Sequence, residues 1–327
     1  MSGIDRRTAC ALLLSLAAGT VSIARAAPAA TYPQRPITLI NPYAAGGPAD
    51  VLARRLAKDL GEVLAQPVIV ENKPGAAAAL GTGYVARAKP DGYTLLISTS
   101  AGHVVTPLLH HVTYDGVADF SFIGIVASQS SMLVINPQFK VNNVAELIAY
   151  AKQHPGKLNF GSAGTGGATH LGGELFKQKA GVDIVHIPYN GAALALTDLI
   201  GGQVQMAFLN LSACLPHIKE GRIKALAYAS EHRSKLLPDV PTLEESGIHG
   251  ADVPTWYSLA APKGTPAAIV DRLNAALLAL NAKPGYAAFM ESLDAVPLSL
   301  SPAQTTQFVE HDRSNMTKLL RSIGLAK

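Results

Sequence analysis

The sequence predicts an α/β protein of two lobes, each a mainly parallel sheet flanked by helices. Three observations carry this expectation. A strand–helix alternation runs through the first hundred residues and restarts after residue 140. Each run contains a strand, a Gly-Gly loop and then an amphipathic helix, in "LINPYAAGGPADVLARRLA" (39–57) and again in "LNFGSAGTGGATHLGGELF" (158–176). Finally, 48% hydrophobic and 15% charged residues over 327 positions suffice for two cores and argue against disorder.

The elements follow in order. "ITLINPY" reads as a strand, and 48–65 as a helix with Leu52, Leu56, Leu60 and Val63 or Leu64 on one face. "PVIVEN" is a second strand. "KPG" turns into a small-residue helix ending by Ala88, and "KPDGY" turns into the strand "YTLLIS". Such a βαβαβ succession implies parallel strands joined by right-handed crossovers. "FIGIVAS" and "SMLVINP" then follow closely. The alternation resumes with a helix at 144–153, "LNFGSA", a helix at 169–180, "IVHIPY", a helix at 192–200, "VQMAFLN", a helix near 212–221 and "KALAYAS". After a turn-rich loop, "WYSLAAP" and long amphipathic stretches at 266–282 and 302–323 complete the chain.

Residues 1–26 read as a signal peptide: Arg6 and Arg7, the apolar run "ALLLSLAAGTVSIA", then "ARA" before a cut at Ala26/Ala27. Its loss takes the formal +4 charge to about +2, which is no nucleic-acid balance. The chain is therefore expected to be exported, by the general or the twin-arginine route. Cys10 leaves with the leader, so Cys214 has no intramolecular disulfide partner and reads as a buried core thiol.

The two glycine loops align position by position. Each has Gly-Gly, two short residues and one polar residue, Asp50 or His170, entering the helix. Ligands of open α/β sheets lie beyond the carboxyl ends of strands. Free N–H groups in a first helical turn, with the helix dipole behind them, favour an anion. Two such turns facing one cleft would hold a carboxylate ligand. The same loops also read as ordinary βα packing turns. Competing chemistries are weaker. No P-loop, dinucleotide fingerprint or nucleophile elbow is present. His170 and Glu174 have a metal-compatible spacing without a second pair, and His110 and His111 fall in a loop, so neither a metal nor a cofactor is expected. Trp256 and Tyr257 read as hinge, core or cleft aromatics. "STSAGH" (98–103) either offers hydroxyls to the cleft or is a plain turn.

The motifs "YPQRPITLINPYAAGGPAD", "VIVENKPGAAAALG", "AKPDGYTLL", "LNFGSAGTGGATHL", "VHIPYNGAALALTDLIGGQV" and "LPDVPTLEESG", in this order along the mature chain, resemble the periplasmic receptors of tripartite tricarboxylate transporters, the Bug receptors. The resemblance implies a Venus-flytrap binding protein without catalytic activity or cofactor. It captures a small organic anion (a di- or tricarboxylate, or an aromatic carboxylate) and delivers it to membrane permease subunits. Lobe 1 would comprise 27–128 plus 256–327 and lobe 2 129–255, and a monomer is expected. Carried onto this chain, the ligand-binding segments are Tyr43, Ala44, Ala45, Gly46, Gly47 and Asp50; Ser100 and His103; Ser162, Ala163, Gly164, Thr165, Gly166, Thr169 and His170; and Asn210. Where many relatives carry an aspartate near "FLN", this chain has Leu209 and Asn210, which removes a partner for an amino group. A sensory receptor using the same cleft, and an exported hydrolase built on Ser162 or Ser100 with a histidine, are the alternative readings.

Overall fold

The computed structural model describes residues 32–326; the leader with its cleavage site lies outside the described residues. Along the chain come β1 (Ile37–Asn41), α1 (Pro48–Leu64), β2 (Val68–Asn72), α2 (Ala79–Ala86), β3 (Thr94–Thr99), a π-helical turn (Ala101–Val105), α3 (Thr106–Leu109), β4 (Phe120–Gln129) and β5 (Ser131–Ile135). Then follow α4 (Val144–Gln153), β6 (Leu158–Ser162), α5 (Ala168–Ala180), β7 (Ile184–Pro188), α6 (Ala192–Ile200), β8 (Met206–Asn210), α7 (Leu211–Lys219) and β9 (Lys224–Ala229). The last elements are β10 (Thr255–Pro262), α8 (Ala267–Asn281), α9 (Pro284–Ser292), β11 (Val296–Leu298) and α10 (Pro302–Ser322).

The strands form two sheets, ordered β11-β4-β10-β3-β1-β2 and β7-β6-β8-β5-β9. The parallel part expected from the alternation is present in both: β2-β1-β3 in the first and β7-β6-β8 in the second. The strands that carry the chain between sheets, β4, β5 and β10, pair antiparallel, so each sheet is mixed. Only Ser130 separates β4 from β5, which makes that crossing short. The return runs from β9 to β10.

Side-chain alternation gives the second sheet two apolar faces. Leu133, Ile135, Met206 and Phe208 join a core with Leu171, Leu175 and Phe176 of α5, while Met132, Val134, Ala207 and Leu209 join another with Ala195 and Leu199 of α6 and Cys214 of α7. In α1 the apolar stripe is Leu52, Leu56, Leu60 and Leu64; Val63 is exposed. Gly173 lets α5 approach β6, since a Cβ there would sit 2.2 Å from the Phe160 ring. The last helix serves a core of each sheet: Val309 joins the first sheet's cluster with Trp256 and Tyr114, and Leu320 the second sheet's with Phe176 and Leu147.

One turn is strained. Ala76, Ala77 and Ala78 are consecutive left-handed residues, with φ of 48°, 51° and 74°. This conformation costs a residue bearing a Cβ about 1–2 kcal/mol. The Thr106 hydroxyl, donating to the Ala77 carbonyl at 2.7 Å, ties the turn down. Ala76 is exposed whereas Ala78 is buried. Ala76→Gly is therefore expected to raise stability by about 1 kcal/mol, and Ala78→Gly by less, because its buried methyl is lost. Urea denaturation of the two variants checks the order; a destabilised Ala76→Gly protein would refute the strain.

Candidate functional site

The two glycine loops are built alike. Gly46 and Gly166 have φ of 83° and 76°, a region that favours glycine. Gly47 and Gly167 then cap α1 and α5 from extended backbone, with no side-chain cap bond. In each loop the first of the two glycines donates its N–H to the polar residue four positions on: Gly46 to Asp50 Oδ2 and Gly166 to His170 Nδ1, both at 3.0 Å. Asp50 and Val51 donate to the Gly47 carbonyl, as His170 and Leu171 donate to that of Gly167, all at 3.0 Å.

Asp50 and His170 thus fold their loops. Burial pushes the Asp50 carboxyl up, but donors from Arg54, Gly46 and Asn72 outweigh it and hold it below the ordinary carboxylate range. Asn72 Nδ2 donates both to Asp50 Oδ1 at 2.9 Å and to the Tyr43 carbonyl at 3.0 Å, which fastens the end of β2 to the loop. Asp50→Ala is expected to cost about 2–3 kcal/mol, as a buried charged acceptor with several donors is lost; thermal or urea unfolding checks it.

On the other loop, burial lowers His170 to about 4. Its ring stacks on His186 at 3.9 Å, and its Nε2 lies 3.9 Å from Glu174 Oε1. His186, lowered to about 3 by burial and by His170, shares a 2.7 Å hydrogen bond with Ser162 Oγ. That serine is fully buried and also bonds within its own turn, donating to the Gly164 carbonyl and accepting from the Gly164 N–H at 3.3 Å each. The Ser162–His186 contact braces the loop and leaves no exposed nucleophile. Thr169 Oγ1 adds a further brace by accepting the Ala163 N–H at 3.1 Å.

A cavity of about 230 Å³ lies where elements of both sheets meet. Gly46, Gly47, Pro48 and Val51 line it from the start of α1. Ala193 and Leu196 line it from α6, Ser212, Ala213 and His217 from α7, and Leu293 from the segment before β11. Three first helical turns therefore converge: the cap and first residue of α1, the second residue of α6, and the second and third of α7. None of these helices has a side-chain cap bond, a condition they share with most helices of the fold. The three helix dipoles favour an anion in a cavity whose lining holds no lysine or arginine. Gln129 at the end of β4 braces the rim: its Nε2 donates to the Leu293 carbonyl at 3.0 Å and reaches Ser212 Oγ at 3.5 Å. Its Oε1 accepts from Tyr257 at 3.2 Å. A larger, shallower depression of about 440 Å³ lies at the opposite end of α1, between Lys58, Glu62 and Pro67, away from the strand ends.

Of the residues expected from sequence, Gly46 and Gly47 line this cavity, with Tyr43, Ala44 and Ala45 in the same loop. The second loop, Ala163 to Gly166, is not part of the lining; a Cβ at Gly166 would meet Val105 at 2.8 Å. The Tyr43 hydroxyl bonds Thr99 Oγ1 at 2.6 Å, and Ser100 donates to Asp312 of α10 at 2.5 Å. His103 is turned inward by the π-helical turn. Its ring nitrogens bond the Gly116 carbonyl and Ser258 Oγ at 2.8 and 2.9 Å, and burial lowers it to about 4 among Phe120, Phe122 and Trp256. Asn210 caps α7 and donates to Thr255 Oγ1 at 3.3 Å. Trp256 and Tyr257 are core aromatics, and burial pushes the Cys214 thiol up to about 12. Sequence reasoning missed Pro48, Val51, Ala193, Leu196, Ser212, Ala213, His217 and Leu293 as lining residues. Only Ala193, Ser212 and Ala213, in first turns after "YNG" and "FLN", carried a signal.

A family model described as "Tripartite tricarboxylate transporter family receptor" matches residues 52–325. Among solved structures, the periplasmic binding protein BugD is 37% identical, with a TM-score of 0.85 over 90% of this chain and 100% of that one. An R. palustris protein solved with adipate is 33% identical, with a TM-score of 0.87 over 90% and 99%. MatC from Rhodopseudomonas palustris, with bound malate, is 31% identical, with a TM-score of 0.83 over 88% and 100%.

Proposed function

Because the chain belongs to the tripartite tricarboxylate transporter receptor family, we propose that its cavity is where it takes a small organic carboxylate for delivery to membrane permease subunits. The protein is a periplasmic solute-binding receptor and not an enzyme. The observation that carries the site assignment is the convergence of three uncapped helix N-termini on one cavity lined from both sheets. A carboxylate there accepts main-chain N–H groups and meets three favourable dipoles. The adipate and malate bound to two relatives are anions of this kind.

The second glycine loop, Ser162 to His170, contributes the opposing wall as the lobes close. We place the lobes at 27–128 with 256–327 and at 129–255, in a monomer. Only a ligand that touches both lobes favours their closed arrangement. Calorimetric titration of the purified mature protein with hexanoate, benzoate, adipate and malate tests the reading. Saturable binding of at least one, recovered unchanged, supports a receptor; no binding by any, or consumption of one, overturns it.

A further inference from the structure

We propose that Asp294 is a positioning residue for ligand capture: with the Leu293 carbonyl it fastens one turn to both connections between the sheets, and so holds the lobes in the arrangement that grips a ligand. The inference rests on the receptor reading above and adds a residue that steers closure without touching the ligand.

The turn ends α9. Leu293 caps the helix, and Asp294 follows in the left-handed region, at φ 54°. The Asp294 N–H donates to the Glu291 carbonyl at 3.0 Å, and that of Ala295 to the Met290 carbonyl at 2.9 Å. This pair of bonds closes a helix on a left-handed residue, and glycine is its usual occupant because it has no Cβ to resist that φ. Here the position carries a carboxylate with both oxygens engaged. Oδ1 accepts the Ser234 hydroxyl at 2.8 Å, and Oδ2 accepts that of Tyr228. Both partners are buried. Tyr228 is on β9, the last strand before the chain returns to the first sheet, and Ser234 is in the returning segment itself. The side chain thus ties the turn to one connection.

The preceding residue ties it to the other. The Leu293 carbonyl accepts from Gln129 Nε2 at 3.0 Å, and Gln129 is the last residue of β4, beside the crossing at Ser130. Two successive residues therefore bond to both places where the chain passes between sheets. Hinge closure bends the chain at such connections while the packed parts move as bodies. A turn fastened to both limits how far they bend. Leu293 also lines the cavity, so the wall that meets a ligand and the brace on the hinge are neighbours in the chain. Without the carboxylate, the ligand-free protein spends less time in the binding-competent arrangement, and apparent affinity falls by that fraction.

Asp294→Gly separates this role from ordinary stabilisation, because it removes the side chain and relaxes the backbone together. Thermal unfolding is expected to stay close to the wild type. Calorimetric titration with hexanoate, benzoate, adipate and malate is expected to show the tightest of the four bound about tenfold more weakly. Hydrogen exchange of the ligand-free variant should quicken at 129–132 and 228–234 and stay unchanged in α8. Tyr228→Phe should reproduce part of the loss, and adding it to Asp294→Gly should cost nothing further. If Asp294→Gly unfolds early, Asp294→Asn keeps a residue that tolerates the turn and one acceptor, and about threefold weaker binding is the expected result. Wild-type affinity in a folded variant, or unchanged exchange at the two connections, overturns this inference and leaves the receptor standing. A wild type that binds none of the four acids removes the receptor reading and this inference with it.

Discussion

Replacing Gly47 with leucine is expected to leave unfolding almost unchanged and to weaken carboxylate binding on the order of a hundredfold, about 2.7 kcal/mol. Gly47 sits at φ −83° and ψ 172°, extended backbone open to any residue. A Cβ there meets nothing nearer than the Ala44 carbonyl, at 3.8 Å. The glycine is therefore not required by the fold. It lines the cavity at the cap of α1, where four added carbons occupy the space in front of the first-turn N–H groups. Forcing a ligand past added methylenes costs about 1–3 kcal/mol even where neighbours can shift. Gly46→Ala is the control. Its open surroundings remove the steric term, but φ of 83° imposes about 1–2 kcal/mol of backbone strain. Stability should fall for Gly46→Ala and binding for Gly47→Leu. Titration with hexanoate and benzoate beside thermal unfolding separates the two, and a Gly47→Leu protein that binds like the wild type refutes the cavity as the site.

The likeness of the two loops was legible because it is written in side chains and in their absence. Gly-Gly followed by a polar residue entering the helix recurs in 46–50 and 166–170, and the structure gives both the same 3.0 Å bond back to the first glycine. What that polar residue does was not legible. Either an acid or an imidazole can face a ligand or its own loop, and only the positive φ of Gly46 and Gly166 aims the N–H at it. His103 was misleading for a related reason. "STSAGH" follows a strand end as a βα turn would, yet a π-helical turn rotates the ring toward Ser258, on a strand 155 residues later in sequence.

The convergence of α6 and α7 on α1 was hidden for a different reason. Their contribution is main-chain N–H, which every non-proline residue has, so Ala193 and Ala213 carry no chemical mark. Which helices meet is set by topology: β8 pairs with both β5 and β6, which puts α7 beside the short β4–β5 crossing and its Gln129. Strand existence can be read from apolar periodicity. The antiparallel partners of β5 and β10 join residues 70 or more positions apart, and local pattern has no access to them.

Acidification from about pH 7.5 to 5 is expected to lower stability by about 3 kcal/mol, through histidines that the fold keeps neutral. His103 and His170 are almost fully buried and lowered by burial to about 4, and the half-buried His186 beside His170 to about 3, from an ordinary 6.5. Between those values the unfolded chain binds a proton that the folded chain refuses, so stability rises with pH. The contribution is complete above the unfolded value and is lost as pH falls toward the folded one, about 2 kcal/mol per histidine at pH 5. Raised carboxyls oppose them and favour the folded state as pH falls: burial raises Glu174 and Asp312, and desolvation by its neighbours with the nearby Glu231 raises Asp252 to about 6. Asp252 is open to solvent on its outer side, which holds its share to about 1 kcal/mol or less. Asp50, held below the ordinary carboxylate range, titrates outside the window. The His170 share has a structural consequence, because protonating Nδ1 removes the acceptor of the Gly166 N–H and releases the second loop. Asparagine can present an oxygen near the position of Nδ1 and does not titrate. Urea unfolding of wild type and His170→Asn at the two pH values should show the pH-dependent loss roughly halved in the variant. A wild type equally stable at both, or a variant that keeps the full loss, would show that the buried imidazoles do not govern the acid limit of this fold.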